Sequence, residues 1–478
     1  MSAALMLRSL VRPSAVPRAA WTWTATQTSS FSKTASPSGG LNPTRDPLLV
    51  AARLARAAER KQKAAQRGRR GGEAQKKAAP GDAKALRKRI QLSNSNALPV
   101  PGLEDVQKGD LVRPENIGLV LSIPGQVQDQ LRTVEAFKPT QFWHLFRHAS
   151  TLVRAETVDM AQRLEEAAVK KQTLRLIYDG PRISGKSLML LQSMTYAFLN
   201  DWIVINVPEA LELTTGMTEY APIPNTEPTQ YMQNNYCLDL LRAIKASNEK
   251  LLARLTTAHS HPELPQNIPV NSTLLQLINA AKEPEGAWLV FNALWKELMQ
   301  PRGQLRPPVL FCLDGLNHVM RVSDYRSASF ELIHSHDLAL VRLFVDALRG
   351  AASFPGGGAV VSATSRNNVP ANPSMELALQ RRLALQRPGA PAPERDLYFR
   401  DYDERVLKAI PEAGPATVHV RQLAGLTKAE ARSLLWYYDQ SGLLKQKLDE
   451  ATVAEKWTLG GHGIVGEMEK ASLFTMSL

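Results

Sequence analysis

Eight consecutive residues have the types and spacing of a loop that holds nucleotide phosphates. They are Gly180, Pro181, Arg182, Ile183, Ser184, Gly185, Lys186 and Ser187, which read G-x-x-x-x-G-K-S. The glycines let the backbone curl so that its N–H groups, with a helix N-terminus, point at phosphate oxygens. Lys186 would add a charge near the β and γ phosphates, and Ser187 would offer its hydroxyl to Mg²⁺. The pattern predicts a nucleotide site that extends to Leu188; the competing interpretation is a glycine turn with an unrelated lysine.

The segments on either side of this loop supply the secondary structure that a phosphate loop needs. Residues 174–179 form a short apolar run that ends at the first glycine, and residues 187–194 continue as an apolar helical face. The predicted order is therefore strand, loop, helix.

A second apolar run, residues 309–314, predicts a strand that delivers Asp314 at its carboxyl end. In nucleotide-binding sheets such a carboxylate lies near Mg²⁺, usually through water. Gly315 follows, where hydrolytic members of the additional-strand ATPase group place a glutamate that activates water. Asn317 can orient a water molecule but cannot take its proton at neutral pH. We therefore expect slow NTP hydrolysis or none, and a turnover of several per second would contradict this.

Two further segments are predicted to line the nucleotide. Residues 359–365 read as a core strand that ends with Thr364 and Ser365 beside the γ-phosphate, unless these hydroxyls merely cap the strand. Residues 150–156 read as a turn that enters an amphipathic helix. In many large ring-type and signalling ATPases a segment at this point lines the base pocket, and similarity to them makes Val153 and Arg154 candidates for contact with the base. Ordinary core and surface roles are the alternative for both residues.

Two other patterns have simpler explanations. His144 and His148 are four residues apart, but no acidic or cysteine partner lies nearby, which disfavours a metal site. Residues 427–430 read Thr-Lys-Ala-Glu, similar to the guanine-reading T-K-x-D tetrad. The glutamate and the helical pattern that follows favour a capping box instead.

Composition indicates a soluble chain from a reducing compartment. The 478 residues include 44% apolar residues, but no run of the roughly 18 to 20 apolar residues needed to span a bilayer. The two cysteines cannot build a disulfide framework. Residues 1–89 hold 19 Lys or Arg and 4 Asp or Glu of a chain with net charge +13. The basic character therefore belongs to an N-terminal arm.

The arm divides into two segments by composition. Residues 1–45 contain five basic residues, fourteen Ser or Thr and no acidic residue, which is typical of a mitochondrial presequence. The alternative is a disordered Ser/Thr-rich tail. Residues 46–129 form a basic, largely irregular arm and linker that could neutralise RNA phosphates, with a solvated linker as the alternative. A nucleotide-binding domain is predicted over 130–400 and a mainly helical C-terminal subdomain over 401–478.

These motifs together resemble the death-associated protein family of the mitochondrial small ribosomal subunit, in a fungal-type form. The resemblance covers about residues 130–478. Besides the loop and the Asp314 strand, it rests on four motifs: Phe142-Trp143, residues 150–154, residues 425–431 and residues 457–463. It implies an α/β fold of the P-loop NTPase class, AAA+-like, with a parallel sheet flanked by helices. It also implies GTP or ATP, or the diphosphate, bound with Mg²⁺.

The resemblance further implies a place in the head of the small subunit, in the mitochondrial matrix. Its partners would be rRNA and other mitoribosomal proteins, with contacts that reach toward the large subunit, and the chain would not be a homo-oligomer. The nucleotide would be a stabilising or regulatory ligand. Two other functions stay open: an active mitochondrial ATPase that acts on nucleic acid or protein, and a scaffold with a vestigial pocket.

Overall fold

The computed structural model describes residues 87, 89–299, 305–367, 371–387, 391, 393–396, 401–412 and 417–474. The predicted presequence and residues 46–86 and 88 of the predicted basic arm and linker lie outside these residues. Among the residues described, none of the helices combines the length and the apolar character that crossing a bilayer requires.

A five-stranded parallel sheet, in the order β11-β3-β10-β7-β4, forms the centre of the described chain. Short antiparallel pairs join β1 with β2, β5 with β6, and β8 with β9. The strands are β1 Val120–Ser122, β2 Ser150–Leu152, β3 Thr173–Asp179, β4 Ile203–Val207, β5 Ala221–Pro222, β6 Tyr231–Met232, β7 Val309–Asp314, β8 Val322–Arg326, β9 Leu332–His334, β10 Gly358–Ala363 and β11 Val418–Gln422.

Helices cover both faces of the central sheet. They are α1 Gly125–Thr133, α2 Ala155–Val169, α3 Lys186–Leu199, α4 Leu211–Thr214, α5 Asn234–Ser247, α6 Glu249–Leu252, α7 Leu274–Asn279, α8 Ala287–Met299, α9 Leu316–Val319, α10 Ala339–Arg349, α11 Pro373–Leu385, α12 Glu404–Ala409, α13 Lys428–Gln440, α14 Glu450–Leu459 and α15 Val465–Leu473. Short 3₁₀ turns occur at Pro114–Asn116, Trp143–Leu145, Pro284–Gly286 and Ser335–Asp337.

Most residues of β3, β4, β7 and β10 are apolar because each face of the sheet is buried by helices. In β7, Phe311 packs into the cluster with α5, α8 and α10, whereas Cys312 packs into the cluster with α1, α2 and α3. This alternation follows from the two-residue period of a strand. A third apolar cluster belongs to the C-terminal helices α13 to α15 and includes Leu435 and Tyr438.

The observed α/β architecture agrees with the parallel sheet and flanking helices expected from the sequence. The predicted strands at 174–179, 309–314 and 359–365 correspond to β3, β7 and β10. The segment 150–156 differs from its prediction as a turn, because its first three residues pair with β1 as a strand. The sequence patterns also did not indicate β11, which adds a fifth strand beside β3.

Packing is continuous across the two positions where the sequence suggested domain boundaries. Upstream of residue 130, Leu111 and Ile123 belong to the same apolar cluster as α2 and α3. Downstream of residue 401, β11 is part of the central sheet. The division into a nucleotide-binding domain and a C-terminal subdomain stays a prediction.

Candidate nucleotide-binding site

The carboxyl ends of β3, β10 and β7 meet at one edge of the sheet. Ala363 of β10 pairs with Tyr178 of β3 on one side and with Asp314 of β7 on the other. Residues that follow these positions therefore lie next to one another. Open parallel sheets place their ligands at this edge, beyond the carboxyl ends of the strands.

The glycine-lysine loop connects β3 to α3 in the predicted order. Gly180 has φ 152°, and a side chain there would place its Cβ 2.8 Å from the Leu423 carbonyl oxygen. Gly185 has φ 99° and directly precedes α3, a helix of 14 residues. Ile183 also has a positive φ, 53°, which a β-branched residue adopts only at a cost. The loop therefore holds a strained shape in front of a helix N-terminus.

Lys186 is buried within this loop. Its Nζ donates to the Gly180 carbonyl oxygen at 2.9 Å and to the Pro181 carbonyl oxygen at 2.6 Å. Burial lowers the pKa of Lys186 to about 8, although the carboxylates of Asp179 and Asp314 act in the opposite direction. An ammonium group in such surroundings is stabilised by any anion that replaces the lost water.

Asp314 and Ser187 present the oxygen atoms that the sequence predicted for Mg²⁺. The Ser187 hydroxyl makes no hydrogen bond with any residue that the structure describes. Asp314 Oδ2 lies 3.0 Å from Nζ of Lys138, whose ammonium also donates to the Pro208 carbonyl oxygen. Carboxylate and hydroxyl oxygens suit Mg²⁺. A lysine already neutralises part of this carboxylate's charge.

The residues after β7 and β10 are tied to one another and to β3. The Thr364 hydroxyl donates to Asp179 Oδ1 at 2.7 Å, and the Ser365 backbone N–H donates to Asn317 Oδ1 at 2.7 Å. Gly315, at φ 85°, carries no side chain that could serve as a base. Thr364 and Ser365 thus follow the carboxyl end of β10, with the Thr364 proton committed to Asp179.

A cavity of about 120 Å³ opens beside Gly185 and the first turns of α3. Leu188, Met189 and Gln192 form one wall, and Arg154 lies at its edge. The other walls consist mainly of aromatic and apolar side chains: Phe142, Trp143, Phe146, Leu426, Leu434, Tyr437, Tyr438 and Val465. The cavity therefore combines flat aromatic walls with a position next to the glycine-lysine loop, and pockets of this kind bind small, largely apolar ligands.

The two residues predicted to contact the base have different surroundings. Val153 is fully buried in the apolar cluster of α2 and α3, and it does not line the cavity. Arg154 lines the cavity, and its Nη2 donates to the Ala424 carbonyl oxygen at 3.1 Å. Its Nε is buried without a hydrogen-bond partner in the described chain. Arg154 therefore retains a donor, whereas Val153 has a packing role.

The C-terminal helices close against the loop. The Gly466 backbone N–H donates to the Ile183 carbonyl oxygen at 3.0 Å, and Val465 lines the cavity. Thr427 caps α13, with Glu430 completing the capping box. The prediction of a cap at residues 427–430 is confirmed. On α15, burial raises the pKa of the Glu469 carboxyl to about 7, and this side chain also lines the cavity.

Residues 151–471 match the family model for "Mitochondrial ribosomal death-associated protein 3". A Neurospora crassa protein named "Small ribosomal subunit protein mS29" is 50% identical over 486 aligned residues, which cover 100% of both chains. The chain belongs to the mitochondrial ribosomal death-associated protein 3 family.

Family membership confirms the resemblance inferred from the motifs. The matched residues run from β2 into α15, so they include the glycine-lysine loop, Asp314 and most of the cavity walls. The sequence analysis predicted that His144 and His148 are not metal ligands. Both side chains are exposed. Within the described ranges, no group of three or more His, Cys, Asp or Glu side chains could hold a metal ion.

Several residues of this site escaped the sequence predictions. Lys138 contacts Asp314 from a loop far upstream, and Arg366 contacts Asp179. Tyr437 and Tyr438 reach the cavity from α13. No local motif marks any of them. Only the position of Arg366, directly after the predicted strand end, offered a usable signal.

Proposed function

We propose that this protein is a structural component of the mitochondrial small ribosomal subunit that binds a purine nucleotide as a stabilising or regulatory ligand. Its membership of a family of mitochondrial ribosomal proteins supports the ribosomal role, and the mitochondrial location expected from the sequence is confirmed. Ribosomal RNA and other ribosomal proteins are then its partners, including through the basic segment before residue 90. The order of the strands and the loop after β3 support the proposal that the fold is of the P-loop class.

The single observation that carries nucleotide binding is the buried Lys186 in the loop before α3. Within the described part of the chain its ammonium donates to two backbone carbonyls alone, and it lies at a helix N-terminus, where N–H groups and the helix dipole favour phosphate. The aromatic cavity beside Gly185 is placed to receive the base of GTP or ATP. Phosphates in the loop and a base in the cavity account for both halves of the site.

Ser187 and Asp314 are the residues that would hold Mg²⁺ with the phosphates. The ion would neutralise phosphate charge when bound. Lys138 supplies a further positive charge at the same carboxylate.

The residues near Asp314 favour retention of the nucleotide over its hydrolysis. Gly315 provides no base, and the Asn317 side chain accepts a hydrogen bond from the Ser365 backbone N–H. Two carboxylates follow the neighbouring strand β4, but Glu209 and Glu212 are bonded to Arg87 at 2.8 and 2.6 Å. An active ATPase would need a carboxylate free to accept a proton from water.

Nucleotide bound only by the folded chain stabilises it by RT ln(1 + [L]/Kd), about 4 kcal/mol at a thousandfold excess of ligand. We therefore expect the wild-type melting temperature to rise in millimolar GTP or ATP. Lys186→Ala should lose most of this rise, while its melting temperature without nucleotide changes little. The measurement is a thermal unfolding scan of the full chain with and without nucleotide.

Lys170→Ala is the matched control because Lys170 is exposed directly after α2 and, among the described residues, forms an ion pair with Glu166 alone. It should show the wild-type response. Equal nucleotide-dependent rises in the wild type and Lys186→Ala would contradict the proposed site. Denaturing purified small subunits and identifying the released nucleotide gives an independent test, in which absence of any purine nucleotide would favour a scaffold with a vestigial pocket.

A further inference from the structure

Lys138 places a positive charge on the carboxylate that the proposed function assigns to Mg²⁺. Its Nζ lies 3.0 Å from Asp314 Oδ2 and also donates to the Pro208 carbonyl oxygen. The Lys138 and Asp314 side chains are 17% and 13% exposed, so water screens their attraction weakly. The ammonium is therefore a close and partly dehydrated counterion of Asp314.

Backbone and side-chain hydrogen bonds fix the segments on both sides of this ion pair. The Lys138 backbone N–H donates to Gln141 Oε1 at 2.9 Å, and Trp143 Nε1 donates to the same oxygen at 2.8 Å. The Ala210 backbone N–H donates to the Asp314 carbonyl oxygen at 2.9 Å. The loop that carries Lys138 and the segment after β4 are thus both held in place.

A buried arginine connects these two segments. Arg87 Nε lies 2.9 Å from Glu135 Oε2, and Glu135 is three residues before Lys138. Arg87 Nη1 lies 2.8 Å from Glu209 Oε2, and Glu209 directly follows Pro208. The Arg87 side chain is 2% exposed. The position of Lys138 therefore depends on a buried scaffold rather than on a single surface contact.

Asp314 is close enough to the glycine-lysine loop for its charge to affect a bound phosphate. β7 and β3 both border β10, and their carboxyl ends lie at the same edge of the sheet. Burial lowers the pKa of Lys186 in that loop, and the Asp314 carboxylate acts in the opposite direction. A carboxylate without a counterion would repel phosphate at this distance. Lys138 neutralises it with a charge that belongs to the chain itself.

We propose that Lys138 serves as a built-in cation at Asp314, so that this chain retains its nucleotide with little dependence on Mg²⁺. Two cations at one carboxylate repel each other, so the ammonium opposes the gain in affinity that Mg²⁺ would bring. An ammonium is satisfied by the carboxylate and carbonyl oxygens present here, whereas Mg²⁺ requires near-octahedral oxygen ligands. This inference rests on the proposed function, since it requires that the loop hold nucleotide phosphates.

The test is a set of equilibrium titrations of the full chain with GTP and with ATP, each in millimolar Mg²⁺ and in EDTA. For the wild type we expect the two affinities for one nucleotide to differ by less than about tenfold. Lys138→Gln keeps an N–H donor but removes the charge. Its affinity in EDTA should fall by about tenfold to a hundredfold, the range for a hydrogen bond to a charged group. In Mg²⁺ its affinity should stay within about threefold of wild type, because the ion then neutralises Asp314.

Lys170→Gln is the matched control. Lys170 pairs with Glu166 and lies three residues before β3 begins, at the end of that strand opposite to the loop. Both of its affinities should match those of the wild type. In an Asp314→Asn background, Lys138→Gln should change the Mg²⁺ dependence no further, because the carboxylate that couples the two cations is gone.

Lys138→Met repeats the removal of charge if Lys138→Gln does not fold. Equal Mg²⁺ dependence in the wild type and Lys138→Gln would overturn the inference, as would a wild-type affinity that falls by about a hundredfold in EDTA. An effect of Lys138→Gln that persists in the Asp314→Asn background would overturn it as well, since the lysine would then act elsewhere. A wild-type chain that binds neither nucleotide in either solution would instead refute the proposed function, which keeps the two failures distinct.

Discussion

Two buried cationic side chains lie near opposite ends of strand β3, Arg175 within the strand and Lys186 in the loop that follows it. Their hydrogen bonds differ. Near the amino end, Arg175 donates from Nε to the Ala347 carbonyl oxygen at 2.8 Å and from Nη1 to the Thr173 carbonyl oxygen at 2.9 Å. Its Nη2 donates to the Ala352 carbonyl oxygen and to Ser353 Oγ, both at 2.9 Å. At the carboxyl end, Lys186 donates to two carbonyl oxygens of its own loop.

The difference separates a structural cation from one available to a ligand. Burial lowers the pKa of both side chains. Arg175 compensates for lost water with protein acceptors on three segments, so it fastens the end of α10 to β3. Among the described residues, the third N–H of the Lys186 ammonium has no protein acceptor, and the group lies in front of a helix N-terminus. In the proposed function this N–H donates to a phosphate oxygen, whereas Arg175 has only a structural role.

The largest expected effect follows from removal of the structural cation. Arg175→Ala leaves several buried acceptors without a donor, and we expect a loss of at least about 3 kcal/mol in the free energy of unfolding. The increment that nucleotide adds should stay the same, because the two sites are separate. Denaturant unfolding with and without nucleotide measures both quantities.

Arg163→Ala provides the control for this comparison. Arg163 makes an i,i+4 ion pair with Asp159 on the surface of α2, and its loss should cost less than about 0.5 kcal/mol. If Arg175→Ala lowers the free energy of unfolding no more than Arg163→Ala does, Arg175 is not the structural cation described above.

The second effect concerns the protonation of Lys186. In the ligand-free chain burial lowers its pKa from 10.5 to about 8, and bound phosphate would raise it again by stabilising the ammonium form. Nucleotide affinity should therefore be full below pH 8. Above pH 8 it should fall by up to about tenfold per pH unit, because binding then requires proton uptake. Calorimetric titrations between pH 7 and 10 measure this slope.

Lys186→Met isolates the lysine from other groups that titrate in the same range. Lys186→Met should bind nucleotide more weakly, and its affinity should not show the additional fall with pH above pH 8. Without nucleotide, the pH dependence of folding stability has the opposite direction. The pKa of Lys186 is lower in the folded chain than in the unfolded chain, so the unfolded chain binds more protons between about pH 8 and about pH 10.5. The free energy of unfolding of the wild type should therefore rise over this range relative to that of Lys186→Met. Parallel affinity profiles for the two proteins would remove Lys186 from the phosphate site.

Local sequence patterns were sufficient to predict the part of the site that is contiguous in the chain. Residues 180–187 contain the complete loop, and the apolar strands before it and before Asp314 follow from their composition. The same holds for the cap at Thr427, where the side chain and its partner Glu430 are three residues apart. In each case the interacting groups are neighbours, so their spacing carries the information.

The remaining contacts depend on chain segments that meet only in the folded protein. Lys138 contacts Asp314, which lies 176 positions later in the sequence, and Arg175 donates to carbonyl oxygens of residues near the end of α10. β11 was missed because five residues with two apolar side chains do not distinguish an edge strand from a loop. These features require tertiary structure because no periodicity or motif encodes them locally.

The smallest expected effect tests whether the loop binds phosphate through its backbone and its lysine alone. The Ser184 hydroxyl is fully buried and has no hydrogen-bond partner among the described residues. Ser184→Ala removes this unpaired group, so we expect the free energy of unfolding to stay the same or rise by up to about 1 kcal/mol. The nucleotide-dependent rise in melting temperature should be that of wild type. Ser362→Ala is the matched control, since Ser362 is an equally buried and unpaired serine in the middle of β10. Loss of the nucleotide response in Ser184→Ala alone would mean that this hydroxyl turns toward the ligand, and that the loop binds phosphate in a shape other than the one described.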